Sequence, residues 1–271
     1  MRLAREGLRV GLLVVLLAPS GWASPLKAGV AKADITPAPG LPLWGYELRN
    51  ATGTLDPLYA RVLVLEVGEQ RVAIVALDLG RTFGWGSIQQ IREAARKSSG
   101  ISYVLVCATH DHSAPAIRDS YPKGLPAWEQ AALEKIEKAI QDAHEHAVEV
   151  RMGTGYGDAY IGHNRLQLNP DGTVTWFANN DTKIPTAPVD PTVSILRLDT
   201  LDGKPLAIVV NYACHPVVFG PDNKQYSADF PAATAPERNS HAACPMFGHL
   251  VQSPLMSNPL GTGSSQCRPC E

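Results

Sequence analysis

The sequence predicts an α/β fold: mixed β-sheets with flanking helices, and a polar site at the C-terminal ends of strands. Three observations point there. Apolar runs of strand length recur at 59–67, 71–79, 102–107 and 206–214, set off by turn residues. Two stretches with helical spacing, 87–98 and 126–147, are interleaved with them. Three of the runs also end at or just before residues that carry chemistry: Asp78, His110 with His112, and His215. The high counts of 23 Gly and 22 Pro favour short elements joined by turns over a helical bundle.

The 271 residues are 45% hydrophobic and 18% charged, enough for a large core in one or two domains. A net charge of −2 leaves no electrostatic footprint for nucleic acid. Residues 1–23 read as a signal peptide. Arg2, Arg5 and Arg9 precede the apolar stretch 11–18, which is too short to span a bilayer, and Gly21-Trp22-Ala23 offers a cleavage site after Ala23. The expectation is an exported protein, periplasmic or secreted; the alternative is an uncleaved anchor. Five cysteines do not make a disulfide framework in a chain this long. Cys107 and Cys214 read as small apolar side chains, and Cys267-x-x-Cys270 lacks a second ligand pair.

In chain order, 28–37 is a short strand ending in Thr-Pro, and 40–45 is a Pro/Gly loop carrying Trp44, with Tyr46 just beyond. The runs 59–67 and 71–79 form a hairpin across Gly68-Glu69-Gln70. The second run is apolar enough to be covered on both faces. Residues 87–98 form an amphipathic helix with Ile88, Ile91 and Ala95 inward and Ser87 as N-cap. Strand 102–107 follows, giving a β–β–α–β unit. Pro126 opens a longer helix to residue 147, with Leu133, Ile136 and Ile140 on its buried stripe. On it, His144 and His146 face different ways and read as solvated. Val148, Val150 and Met152 alternate as a strand that Gly153, Gly155 and Gly157 then end. Asn169-Pro170-Asp171-Gly172 is a turn, and Asp202-Gly203 joins strands 192–198 and 206–214 as a hairpin. Residues 24–231 make one domain. Residues 232–271 form an aperiodic tail, disordered or out of frame.

The chemistry centres on 102–115, SYVLVCATHDHSAP. If the extended geometry continues past the strand, His110 and His112 point the same way, about 6–7 Å apart. The plain alternative is a polar loop with solvated histidines. His215 sits in Cys-His-Pro, where Pro216 disfavours helical angles. With His110 it supplies two legs of a zinc site, provided that neighbouring core strands bring them together. Asp78, Asp111 and Asp229 are candidates for further ligands. Arg165, in His163-Asn164-Arg165, offers a cation for a developing oxyanion or a surface charge, and His163 reads as structural.

These stretches resemble the N-terminal catalytic domain of the neutral (non-lysosomal) ceramidases over about residues 28–231. The matching segments are AGVAKADITP with the following Gly-Tyr, LYARVLVLE with VAIVALDLG, ATHDHSAP, HNR, and NYACHPVVFGPDNKQYSADFP. The resemblance implies a zinc-hydrolase-like site and a Zn2+-dependent amidohydrolase that cleaves the N-acyl bond of ceramide. It places the metal ligands on His110 and His215 and the catalytic residues on His112 and Arg165. Its partner is ceramide or another N-acyl lipid, with peripheral contact to membrane lipid. The family's remaining ligands, a glutamate and a tyrosine, have no recognisable counterpart here, so a frameshift or truncation near 232–236 is expected. Other readings are an inactive remnant, a hydrolase of a different ester or amide, and a binding module lined by Trp44, Tyr46, Trp85 and Trp176.

Overall fold

The computed structural model describes residues 24–47, 49–162, 164, 166–175 and 189–234. The expected signal peptide, His163, Arg165, Trp176, Cys267 and Cys270 lie outside the described residues. The elements in chain order are β1 (Leu26–Asp34), β2 (Gly53–Thr54), β3 (Tyr59–Val67), β4 (Gln70–Leu77), α1 (Trp85–Ser99), β5 (Tyr103–Ala108), α2 (Ala127–Glu145), β6 (Val148–Asp158), β7 (Gln167–Leu168), β8 (Val174–Thr175), β9 (Thr192–Thr200), β10 (Pro205–Tyr212), β11 (Gln225–Tyr226) and α3 (Asp229–Thr234).

Seven strands form one mixed sheet in the order β10-β9-β6-β1-β3-β4-β5. β3 and β4 are the expected hairpin, with Gly68 at φ 58° in its turn. β4 and β5 are parallel, as a crossover through α1 requires. β9 and β10 form the second hairpin, with Gly203 at φ 85°. Alternate residues of each strand divide two apolar clusters between the sheet's faces. Val62, Val64, Ala73, Val75 and Val104 pack with Ile88, Ile91, Leu133, Ile136 and Ile140 of the two helices. Leu63, Ala76, Val150 and Leu198 pack together on the other face. Helix α2 lies directly on β1: a Cβ added at Gly29 would sit 1.7 Å from the Ala143 carbonyl oxygen. No described helix is long and apolar enough to cross a membrane.

Several expected boundaries move. α1 begins at Trp85, capped by Gly84 without a side-chain bond, so Ser87 is not its N-cap. The Ser87 hydroxyl instead donates to the buried Glu129 carboxylate, 2.9 Å away on α2. β6 runs on through Gly153, Gly155 and Gly157, which pair with Arg197, Ile195 and Val193 of β9. Nine consecutive pairs outweigh the low strand propensity of three glycines. Helix α3 continues past Asp229, where the sequence shows no periodicity. His144 is not simply solvated, since its Nδ1 meets Glu66 Oε1 at 2.5 Å.

The strands that deliver the histidines are not neighbours. β5 and β10 are the two edges of the sheet. The loops after β5 and β10 carry the histidines to each other, and between the two edges the junction of β1 with β6 is held by only two pairs, Lys27 with Glu149 and Ala28 with Val148.

Candidate metal centre

The parallel pairing of β4 and β5 brings their C-terminal ends together and hangs one loop on the other. Thr109 N–H donates to the Leu77 carbonyl at 3.0 Å. The N–H groups of His110 and Asp111 both donate to Leu79 O, at 3.0 and 3.2 Å. The extended geometry does not continue past Ala108. His110 has φ 66°, in the left-handed region that costs a β-carbon residue strain, and the backbone bonds to Leu79 hold it there. Asp111 Oδ1 then accepts the Ser113 N–H at 2.7 Å and closes a tight turn. The two rings still meet, with centroids 5.3 Å apart, but by a turn rather than by strand alternation.

His110 Nδ1 lies 2.8 Å from the Gly80 carbonyl oxygen, so it donates there and the ring carries its lone pair on Nε2. His215 arrives from the loop after β10. Its ring centroid is 4.9 Å from that of His110 and 4.7 Å from that of His112, and its Nε2 is 3.0 Å from His112 Nε2. The ligand atoms of the three histidines all lie within 4.8 Å of one another. Two nitrogens on a tetrahedral zinc stand about 3.3 Å apart at Zn–N distances of about 2.0–2.1 Å, a separation that lies within the 4.8 Å span of the cluster. Three imidazoles, one with its Nδ1 turned to a carbonyl oxygen, fit a divalent metal that prefers nitrogen donors.

The site is closed from behind by Gly45, Tyr46 and Arg49. Gly45 has φ 89°, and a Cβ there would lie 2.2 Å from His112 Nδ1, so only glycine lets the chain pass the ring. Tyr46 meets the same imidazole edge-on at 4.8 Å. Gly80 admits the Trp44 ring in the same way, with an added Cβ 2.0 Å from Trp44 Cδ1. Arg49 is buried and donates to the carbonyls of His112, at 2.5 Å, and of Asn223. The one legible signal was the Gly-Tyr pair; nothing in the sequence marked Arg49. Trp85 lies away from this contact set, 71% exposed and beside Arg92.

None of the three aspartates offered as further ligands joins the cluster. Asp78 pairs with Arg61 at 2.5 Å and accepts the Tyr59 N–H at 2.9 Å. Burial holds its carboxyl above the usual range, outweighing the pull of Arg61. Asp111 gives one carboxylate oxygen to its own turn, and burial, with Asp229, Asp78 and Asp56 adding to it, holds its carboxyl well above the usual range. Asp229 accepts the N–H groups of Phe219 at 3.3 Å and Phe230 at 2.7 Å. The imidazoles are the only donor set of this kind among the described residues.

A family model described as "Neutral/alkaline non-lysosomal ceramidase, N-terminal" matches residues 26–245. The chain belongs to the neutral/alkaline non-lysosomal ceramidase family. Two solved ceramidase structures share its fold. One, described as ceramidase complexed with C2, matches with a TM-score of 0.64 and 22% identity over 82% of this chain and 37% of that one. A crystal structure of neutral ceramidase from Pseudomonas aeruginosa matches with a TM-score of 0.63 and 20% identity over 82% of this chain and 38% of that one. The chain thus spans well under half the length of the ceramidases it matches.

Proposed function

We propose that this ceramidase-family chain carries the metal-binding half-site of a zinc-dependent amidohydrolase acting on the N-acyl bond of ceramide or a related N-acyl lipid. The observation that carries the reading is the convergence of His110, His112 and His215 within 4.8 Å, on a fold shared with ceramidases. In it, His110 and His215 hold the ion. A zinc ion bound there supplies Lewis acidity toward an amide carbonyl and lowers the pKa of water. His112 lies beside both ligands, where its Nε2 holds or passes a proton at the substrate oxygen. Arg165 steadies the developing oxyanion. The basic and apolar start of the chain supports export, and a lipid substrate implies contact with a membrane surface.

The test is hydrolysis of a fluorescent N-acyl sphingosine by the zinc-loaded protein. Release of labelled fatty acid, lost in His110→Ala and His215→Ala, is the expected result. A second reading, metal binding without turnover, is favoured by one observation. Among the described residues the cluster holds three imidazoles and no carboxylate. Zinc retained with no fatty acid released would select it.

A further inference from the structure

Arg49 is a buried cation with no salt-bridge partner among the described residues. Burial pulls its guanidinium below its usual basicity. A charge in that position costs stability unless its hydrogen bonds return something. Its bonds all serve one place. One nitrogen donates to the His112 carbonyl at 2.5 Å and another to the Asn223 carbonyl. Its planar face lies 4.9 Å from the Tyr46 ring, which in turn stands edge-on to the His112 imidazole at 4.8 Å. Asn223 is tied to the same turn through its side chain, 2.9 Å from Ser113 Oγ. Three segments far apart in sequence therefore meet on one guanidinium.

We propose that Arg49 is a positioning residue for the histidine cluster: it fixes the His112 backbone from one side and, through Tyr46, the His112 ring from the other. The proposal rests on the reading of this cluster as a metal centre, and it concerns how the cluster is held. A planar fork with two donors and a stacking face meets all three demands at once, and a lysine cannot. In this role Arg49 acts through His112 and Tyr46.

The experiment compares the wild type with Arg49→Lys, which keeps the charge and loses the fork, and Arg49→Gln, which avoids burying a charge if the lysine variant fails to fold. Two readouts are taken. Histidine ring nitrogen signals are recorded by NMR on metal-free protein, and cobalt affinity is measured by chelator competition. The expected result is displaced His112 and His215 ring signals, a His110 signal still set by Gly80, and cobalt affinity down about 10–100-fold. A lowered unfolding midpoint with ring signals and cobalt affinity equal to wild type would reduce Arg49 to ordinary packing and overturn the proposal. If wild type takes up no cobalt, the metal reading fails, and the ring signals of the metal-free proteins still decide the role of Arg49.

Discussion

His112 and His215 place their Nε2 atoms 3.0 Å apart although 103 positions separate them in sequence. Both rings depend on neighbours that leave little room. For His112 that neighbour is Gly45, where a Cβ would intrude to 2.2 Å of Nδ1 and the backbone already has φ 89°. Gly45→Ala should push the ring out of the cluster and weaken zinc or cobalt binding at least about ten-fold. Chelator competition on the purified variant measures this, and unchanged affinity would show that the ring has another place to go.

Two glycines on neighbouring strands should respond in opposite ways. Gly29→Ala drives a methyl into the Ala143 carbonyl and forces α2 off β1, costing about 3 kcal/mol. Gly155 has open space where its Cβ would be, so Gly155→Ala should leave stability unchanged or raise it by about 0.5–1 kcal/mol. Urea denaturation of both variants checks the contrast.

The Arg61–Asp78 pair is buried on both sides. Arg61→Met strands a carboxylate in the core and should cost about 3–5 kcal/mol. The pH dependence has a definite sign. The Asp78 carboxyl is held above the usual range by burial, and loss of Arg61 removes what pulled it down. Between the unfolded and folded pKa values the native state binds more protons, so stability rises as pH falls. Arg61→Met should therefore recover part of its lost stability on acidification, by more than wild type does over the same range. Denaturation midpoints followed from neutral to acid pH test this.

Burial pushes the Cys107 thiol from the usual 9.0 to about 11. In the folded protein it should resist iodoacetamide at pH 8 and react once unfolded, as read by peptide mass spectrometry. The unfolded thiol ionises first, so this group's contribution to stability is intact below about 9 and is lost as pH rises toward about 11. Labelling of the native protein at the unfolded rate would contradict the burial of this thiol.

Much of the fold could be read directly. The apolar runs that became β3, β4, β5 and β10, and the turn glycines 68 and 203, needed only periodicity and turn chemistry. The glycines of β6 misled because strand pairing with β9 is a long-range property that local propensity does not contain. Ser87 looked like a cap because Ile88 begins the apolar spacing, yet its partner is Glu129, 42 residues away. At the site, the histidines were legible as residue types but not as geometry. The left-handed turn at His110 and the separation of β5 from β10 at opposite sheet edges are both set by tertiary structure. Arg49 was invisible because its partners lie 63 and 174 positions away.

The most direct measurement is zinc-edge X-ray absorption on the purified protein loaded with one equivalent of zinc. Ligation by His110 and His215 should give imidazole nitrogens at about 2.0–2.1 Å, with ring scattering that weakens in His215→Ala. A sulfur shell at about 2.3 Å, or a spectrum that His215→Ala leaves untouched, would mean that the ion sits elsewhere and that these three rings do not form a metal centre.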